Sequence, residues 1–298
     1  TTSTTTTTTT LGVPEPPNLR GGDVCGLYEP EVDELGDITD EAIVEASGIA
    51  ASVRNGKAYW VVNDSGNASA VYAVGEDGET IATIDIDGVL GFDWEAIAVG
   101  PGPEPGVSYV YIGDIGDNLR LRSTISLLRF PEPDLTDPPA AVTDITTIRL
   151  TFPEGARDSE AMWVDPVTGD AFVVTKRQRN GKAVVFRAAA AAMETSEPVA
   201  LERIAEFRFD EGIFVTAADV SRDGSVVALR GYDEVWIWIR TDLDYRETFA
   251  SEPCMGPSPD EIQGEALAFV TWGRGLSYVT LSEGSGKPLN IVYETVLR

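Results

Sequence analysis

Short runs of β-branched and aromatic residues recur along the chain, with polar turn segments between them. Five such runs stand at comparable places, namely 58–62, 109–112, 171–174, 226–229 and 277–281. Turn sequences such as Asn55-Gly56 and Asp223-Gly224 precede two of these runs, and both dipeptides are typical of β-hairpins. Short strands joined by tight turns predict an all-β protein.

A short motif precedes each of these runs and divides the chain into five units. Its first residue carries a side-chain oxygen, and its second residue is glycine or alanine. The first residues are Ser47, Glu95, Glu160, Thr216 and Glu265, followed by Gly48, Ala96, Ala161, Ala217 and Ala266. Successive motifs lie 48 to 65 residues apart, which fits the blades of a propeller with loop insertions. The sequence therefore predicts a five-bladed β-propeller.

The fifth unit lacks room for an outermost strand after the run 290–293. We expect the N-terminal segment, within 25–43, to supply that strand and so close the ring without an exposed edge. The two cysteines, Cys25 and Cys254, are expected to form a disulfide near the closure. A two-sheet sandwich is the alternative architecture, although it leaves the recurring small residue unexplained.

The first residue of the motif is expected to face the central channel, because the innermost strand of each blade lines it. Glutamates that converge there would repel one another, and some would be forced to protonate. Ca²⁺ would remove this penalty, since it binds about six to eight oxygen ligands. We predict that Ca²⁺ is the cofactor and that its ligands are Ser47, Glu95, Glu160, Thr216 and Glu265. The alternative is a ring of solvated side chains without a metal.

Composition narrows the possible chemistry. The chain has 49 acidic and 22 basic residues and a formal net charge of −27, so it would repel a phosphate backbone, and no nucleic acid is expected as a partner. It contains no histidine, which excludes Ser-His-Asp and Cys-His catalysis and histidine-bound zinc. The acidity could equally serve only to keep an extracellular protein soluble.

The N-terminal residues differ in composition from the rest of the chain. The run 1–10 is threonine broken only by Ser3, and such low-complexity sequence cannot build a core. We predict a disordered tether at 1–20 and one propeller domain at 21–298. Because tethers of this kind often follow a removed targeting segment, we expect a secreted or surface-anchored monomer. No apolar run reaches the roughly 20 residues of a membrane span.

Charged residues at the ends of the second strands are expected to form another ring at one mouth of the channel. Two cations beside carboxylates would suit an anionic, metal-associated substrate, with an aspartate orienting water. The candidate catalytic residues are Asp64, Asp114, Lys176, Arg230 and Glu283. Alternatively, Lys176 and Arg230 form salt bridges to Asp64, Asp114 or Glu283 that hold the loops.

The order Ser, Glu, Glu, Thr, Glu at five blade starts resembles the central calcium site of the soluble calcium-activated nucleotidases (apyrases). That family consists of five-bladed propellers that hydrolyse nucleoside di- and triphosphates. The matching positions are the five predicted calcium ligands, and Thr216 replaces the usual serine while keeping the hydroxyl. The match covers only the blade starts between 47 and 269. The segment 111–118 also resembles uncharacterised bacterial secreted propellers.

Three functions remain as hypotheses from the sequence. The first is a tethered binding or scaffold module, in which Ca²⁺ stabilises the fold and the mouth binds a small anionic ligand, a glycan or a surface protein. The resemblance implies instead a Ca²⁺-dependent extracellular hydrolase of phosphoanhydrides or phosphoesters. A sugar-active propeller with a pair of catalytic carboxylates is the third. The threonine-rich tether and the lack of histidine favour the binding module.

Overall fold

Runs of β-branched and aromatic residues form the strands, because such side chains pack well on a pleated, half-buried surface. The computed structural model describes residues 18–19, 25, 31–89, 91–176, 181–270 and 276–295. Within these residues nearly all regular structure is β-strand. A short 3₁₀-helix spans Ala190–Glu194, and one α-helix, α1, spans Tyr245–Ala250. None of the described helices is long and apolar enough to cross a membrane.

The described part of the chain contains 23 strands, numbered in chain order. They are β1 (Asn18–Leu19), β2 (Glu31–Asp37), β3 (Ala46–Ala51), β4 (Ala58–Asn63), β5 (Ala70–Gly75), β6 (Thr80–Ile86), β7 (Trp94–Pro101), β8 (Ser108–Asp114), β9 (Ile125–Pro131), β10 (Ala141–Val142), β11 (Thr146–Thr151), β12 (Ser159–Val164), β13 (Ala171–Thr175), β14 (Lys182–Ala188), β15 (Val199–Ala200), β16 (Glu202–Phe209), β17 (Ala217–Val220), β18 (Val226–Arg230), β19 (Val235–Ile239), β20 (Cys254–Gly256), β21 (Gly264–Val270), β22 (Leu276–Ser282) and β23 (Pro288–Thr295).

These strands form five sheets, which are the blades of a propeller. From the inside outward, blade 1 is β3-β4-β5-β6-β10, blade 2 is β7-β8-β9-β11-β15, blade 3 is β12-β13-β14-β16-β1, blade 4 is β17-β18-β19-β20 and blade 5 is β21-β22-β23-β2. The innermost strands contact one another in the cyclic order β3, β7, β12, β17, β21 and back to β3. The predicted five-bladed β-propeller is therefore confirmed.

The core is divided among the interfaces between blades. Five hydrophobic clusters are present, and each joins residues of two neighbouring blades. Between blades 3 and 4, for example, Trp163 stacks on Phe172 with ring centroids 4.7 Å apart, and Tyr245 of α1 packs against both rings. Because every blade uses both faces in this way, the stability of each depends on closure of the ring.

The N-terminal segment closes the ring, as the sequence predicts. Strand β2 pairs antiparallel with β23 and becomes the outermost strand of blade 5. The expected disulfide, Cys25–Cys254, is also present and joins this segment to β20 in blade 4. The predicted tether, 1–20, lies outside the described residues except for Asn18–Leu19, which pair in parallel with β16 in blade 3.

Three short parallel strands were not predicted. Strand β10 lies between two blade 2 strands in the sequence but pairs with β6, the outer strand of blade 1. Strand β15 likewise lies between two blade 3 strands in the sequence but pairs with β11 of blade 2. Strands β10 and β15 therefore cover the outer edges of blades 1 and 2, and β1 covers the outer edge of blade 3. Two-residue strands carry too weak a pattern to be read from a sequence, yet they protect sheet edges from pairing with other chains.

Loss of the disulfide is expected to destabilise the protein strongly, because the bond closes a loop between residues 229 positions apart. The double variant Cys25→Ser/Cys254→Ser should lower the free energy of unfolding by about 2–5 kcal/mol, as is typical when a native disulfide is removed. Denaturant titration of the variant and of the wild type measures the difference. A loss below about 1 kcal/mol would show that β2 alone holds the closure.

Candidate functional site

A β-bulge lies at the first motif residue in four of the five blades. The pairing register between the first and second strands shifts between Ala46 and Gly48, and likewise around Glu95, Glu160 and Glu265. The bulged residue has no partner on the neighbouring strand, and bulges commonly re-aim a side chain near functional sites. Thr216 occupies the same place in blade 4, immediately before β17 begins.

The small second residue of the motif allows the innermost strands to approach closely. A Cβ atom on Gly48 would lie 2.9 Å from the backbone nitrogen of Ile97 in the next blade, closer than such atoms approach in folded proteins. The equivalent residues Ala96, Ala161, Ala217 and Ala266 are all buried. The recurrence seen in the sequence therefore has a physical cause, which is crowding of five strands around one axis.

The predicted ring surrounds a narrow axial cavity. Its lining includes four of the five predicted ligands, and small motif residues of four blades also contribute to it. The four ligands are Ser47, Glu95, Glu160 and Thr216, and the small residues are Gly48, Ala96, Ala217 and Ala266. The two hydroxyls are held by the next blade. Ser47 Oγ donates to the carbonyl of Trp94 at 3.0 Å, and Thr216 Oγ1 donates to the carbonyl of Gly264 at 2.8 Å. Since each hydroxyl proton is used in this way, the oxygen lone pairs remain as acceptors.

The three glutamates lie close enough to influence one another. Burial raises the pKa of Glu95 far above its ordinary value, and the carboxylates of Glu160 and Asp64 raise it further. Burial also raises the pKa of Glu160, with a contribution from Glu265. Burial raises the pKa of Glu265 itself to about 7. The ring therefore holds more negative charge than the protein can accommodate without protons or a cation.

Lys176 supplies a cation at the edge of the ring. Its ammonium forms an ion pair with the carboxylate of Glu160 and lies 5.9 Å from the centre of the Phe214 ring. Burial lowers the pKa of Lys176, but Glu160 more than offsets this effect and the pKa lies above its ordinary value. Within the described residues this ammonium is paired with one glutamate of the ring, Glu160.

A second group of carboxylates borders the ring at its mouth. Oxygens of Asp64, Asp93 and Glu95 all lie within 4.8 Å of one another. Burial raises the pKa of Asp64 and of Asp93. Charge repulsion adds to both rises, from Glu45 on Asp64 and from Asp64 and Asp158 on Asp93. The sequence pointed to Asp64 as a catalytic candidate and gave Asp93 no role in metal binding. Its place two residues before a predicted ligand nevertheless assigns Asp93 to the rim of the mouth from the sequence alone.

Asp114 takes a different place from the one expected for a mouth residue. Asp114 pairs with Trp94 in blade 2. The equivalent pair in blade 1 is Ala46 with Asn63, so Asp64 lies one residue further along its strand than Asp114 does. The carboxylate of Asp114 accepts hydrogen bonds from the backbone of Phe92 and Asp93 and forms an ion pair with Arg122 at 2.7 Å. Asp114 is buried and fixes the loop that carries Asp93.

Arg230 also lies away from the mouth. Arg230 pairs with Ala217, the second motif residue of blade 4. The corresponding residue of blade 1 is Val62, which lies two positions before Asp64. The side chain of Arg230 is 0% exposed and forms an ion pair with Glu261, and its guanidinium donates to the carbonyl of Ala266 at 2.9 Å. Arg230 therefore forms a salt bridge between blades 4 and 5, but its partner is Glu261 and none of the three carboxylates that the sequence suggested.

Glu283 and Glu265 are joined by a glutamine at the mouth. Gln263 donates from its amide to Glu265 Oε1 at 2.7 Å and also to Glu283. Glu265 is only half-buried and its carboxylate is turned towards this amide. Of the five catalytic candidates, the structure places Asp64, Lys176 and Glu283 around the mouth and places Asp114 and Arg230 outside it.

Fold and site together define a class of protein, a five-bladed β-propeller with a buried ring of acidic and hydroxyl side chains on its axis. The ring offers oxygen donors only, so it fits a hard cation such as Ca²⁺ better than a soft metal. Comparison with protein-family models and with curated proteins gave no match to the chain.

Proposed function

We propose that this protein is a secreted calcium-binding β-propeller that acts as a binding module through the mouth of its channel. One observation carries the proposal, namely that buried glutamates from neighbouring blades converge with two hydroxyls on the same cavity. Ca²⁺ would be held by Ser47, Glu95, Glu160, Thr216 and Glu265. It would supply positive charge that cross-links the blades and replaces the protons that the carboxyls otherwise need.

The disulfide supports an extracellular location. Bonds such as Cys25–Cys254 form and persist in oxidising compartments and are rare in the cytosol. Calcium is also plentiful enough outside the cell for modules with affinities of about 10⁻⁴–10⁻³ M. An extracellular propeller could therefore keep a weakly bound ion as part of its fold.

The surface around the mouth supports binding of a partner. The four most exposed large apolar residues in the described part of the chain are Phe92, Leu119, Leu121 and Ile262. Phe92 and Ile262 directly precede Asp93 and Gln263 of the mouth, and the other two lie in the loop after β8. Exposed apolar side chains beside an acidic opening suit a docking surface. The occupant would be a small anionic ligand that binds through Ca²⁺, a glycan or a surface protein.

Calcium binding should strengthen as pH rises, and this tests the proposal directly. Carboxyls whose pKa is raised in the folded state hold protons that Ca²⁺ must displace, so binding releases protons. The calcium-free protein should correspondingly lose stability as pH rises from the ordinary glutamate range through about 7, the pKa of Glu265. Calorimetric titration in buffers of different ionisation enthalpy at pH 5.5 and 7.5 measures both the affinity and the proton release.

Mg²⁺ is the matched control for this titration, because it requires octahedral coordination with shorter metal–oxygen distances and gives up its bound water molecules reluctantly. We expect a chelator to lower the melting temperature and Ca²⁺ to restore it, with Mg²⁺ less effective. An affinity that is the same at both pH values, with no proton release, would contradict binding at the glutamate ring. Absence of any heat or stabilisation with millimolar Ca²⁺ would reject the proposal altogether.

The alternative, a calcium-dependent hydrolase of phosphoanhydrides or phosphoesters, has narrower support. The cluster of Asp64, Asp93 and Glu95 could hold an ion where a substrate reaches it. The proposed cation clamp is incomplete, because Arg230 is buried beside Glu261 and Lys176 is paired with Glu160. A phosphate-release assay with nucleoside di- and triphosphates, with and without chelator, decides between the two functions. Calcium-dependent turnover lost in Asp64→Asn would favour the hydrolase.

A further inference from the structure

The channel has a second mouth, at the other ends of the innermost strands. A cavity of about 280 Å³ opens there and is lined by residues of all five innermost strands, near the lower limit for pockets that hold small molecules. Apolar side chains form part of its wall, with contributions from Val99, Val164, Val220 and Phe269. The acidic ring lies at the opposite, amino-terminal ends of the same strands.

One carboxylate interrupts the apolar wall. Asp219 lies two residues after Ala217 in β17 and lines the cavity. The pairing registers place four other residues at the same position of their blades, and all four are apolar and buried: Ala50, Ala98, Trp163 and Ala268. A polar residue at a position that is otherwise part of the core breaks the pattern of the repeat, and such breaks are expected at functional sites.

Among the described residues, no cationic side chain pairs with the carboxylate of Asp219. Its carboxylate accepts a hydrogen bond from the backbone of Phe269 at 2.7 Å, which links blades 4 and 5. Burial raises the pKa of Asp219 to about 7, against the lowering effect of backbone N–H groups of Phe269 and Val220. A carboxylate has about four acceptor sites, so others remain for a ligand. Arg222, the other charged residue of the wall, is exposed.

We infer that this cavity binds a small apolar amine, with Asp219 as the counter-ion of its ammonium group. The apolar wall would cover the hydrocarbon part of the ligand, and a cation would satisfy the one carboxylate of the wall. The net charge of −27 also favours a cationic ligand. The site is distinct from the acidic ring and is independent of calcium binding.

Binding of three small probes of matched shape tests the inference. We expect 2-phenylethylamine to bind at least about tenfold more tightly than neutral 2-phenylethanol or anionic 3-phenylpropanoate, since an ion pair with a partly buried carboxylate is worth roughly 1.4 kcal/mol or more. Calorimetry or saturation-transfer NMR in saturating Ca²⁺ measures the three affinities. The affinity for the amine should rise between pH 6 and 8, as Asp219 ionises.

Two variants locate the site. Asp219→Asn keeps an oxygen that can accept from Phe269 and should remove both the preference for the amine and its pH dependence. Asp137→Asn, at an exposed carboxyl elsewhere, is the matched control and should change neither. Ser108→Phe, at the half-buried rim of the cavity, should block binding while leaving Asp219 intact. Failure of the amine to bind, equal binding of the neutral probe, tighter binding of the anion, or unchanged binding by Asp219→Asn would each overturn the inference.

Discussion

Glu95→Gln is expected to lower the affinity for Ca²⁺ by at least about 100-fold, since loss of a residue that merely supports a metal ligand already costs roughly 10–100-fold. Glu95 is buried on the axis, and its carboxyl is shared between the ring and the group with Asp64 and Asp93. The same variant should be more stable than the wild type in chelator, because a neutral amide avoids the burial of a carboxylate, the main cause of the raised pKa of Glu95, and also the repulsion from Glu160 and Asp64. Thermal melts with and without Ca²⁺ measure both effects.

Two further variants make this result specific. Glu79→Gln removes one negative charge from an exposed turn of blade 1 and should leave calcium binding unchanged. Lys176→Gln removes the ammonium that pairs with Glu160 and should strengthen calcium binding roughly threefold to tenfold, because a competing positive charge is lost. A Glu95→Gln protein that keeps its calcium-dependent stabilisation would exclude the axial site.

Arg230→Met is expected to cause the largest loss of stability of any single substitution considered, about 3–5 kcal/mol, because it leaves a buried carboxylate unpaired. Glu261 is buried and pairs with Arg230, and its other oxygen accepts from Thr280 at 2.7 Å and from Asn290 at 2.6 Å. The network joins blade 4 to blade 5 beside the ring closure. Denaturant unfolding in saturating Ca²⁺ measures the loss.

The double variant Arg230→Met/Glu261→Gln should recover most of that stability, since the buried charge is gone and the amide can still bond to the neighbouring side chains. Arg54→Met, in an exposed ion pair with Asp134, is the control and should cost less than about 1 kcal/mol. If Arg230→Met loses no more than this control but abolishes a calcium-dependent hydrolysis, the residue acts in catalysis and its structural role is wrong.

Much of the architecture could be predicted because the repeat has a direct steric cause. The second motif residue must be small where five strands meet, as the close approach at Gly48 illustrates, and this recurrence identified the blades. The missing outer strand of blade 5 also predicted the pairing of β2 with β23. Both inferences depend on patterns that repeat at comparable places along the chain.

The mouth could be predicted less well, because its geometry depends on pairing register. Counting to the end of each second strand put Asp114 and Arg230 level with Asp64, but the pairing registers place them one and two positions earlier in their strands. A shift of one position moves a side chain to the other face of a strand. The bulges themselves have no signature in the sequence.

Anomalous diffraction from crystals grown with Ca²⁺ would test the axial ion most directly. The account predicts one strong peak on the propeller axis, about 2.3–2.6 Å from carboxylate oxygens of Glu95 and Glu160, with the Lys176 ammonium displaced from its pairing with Glu160. A channel without such a peak in crystals that show calcium only at the outer surface would contradict it.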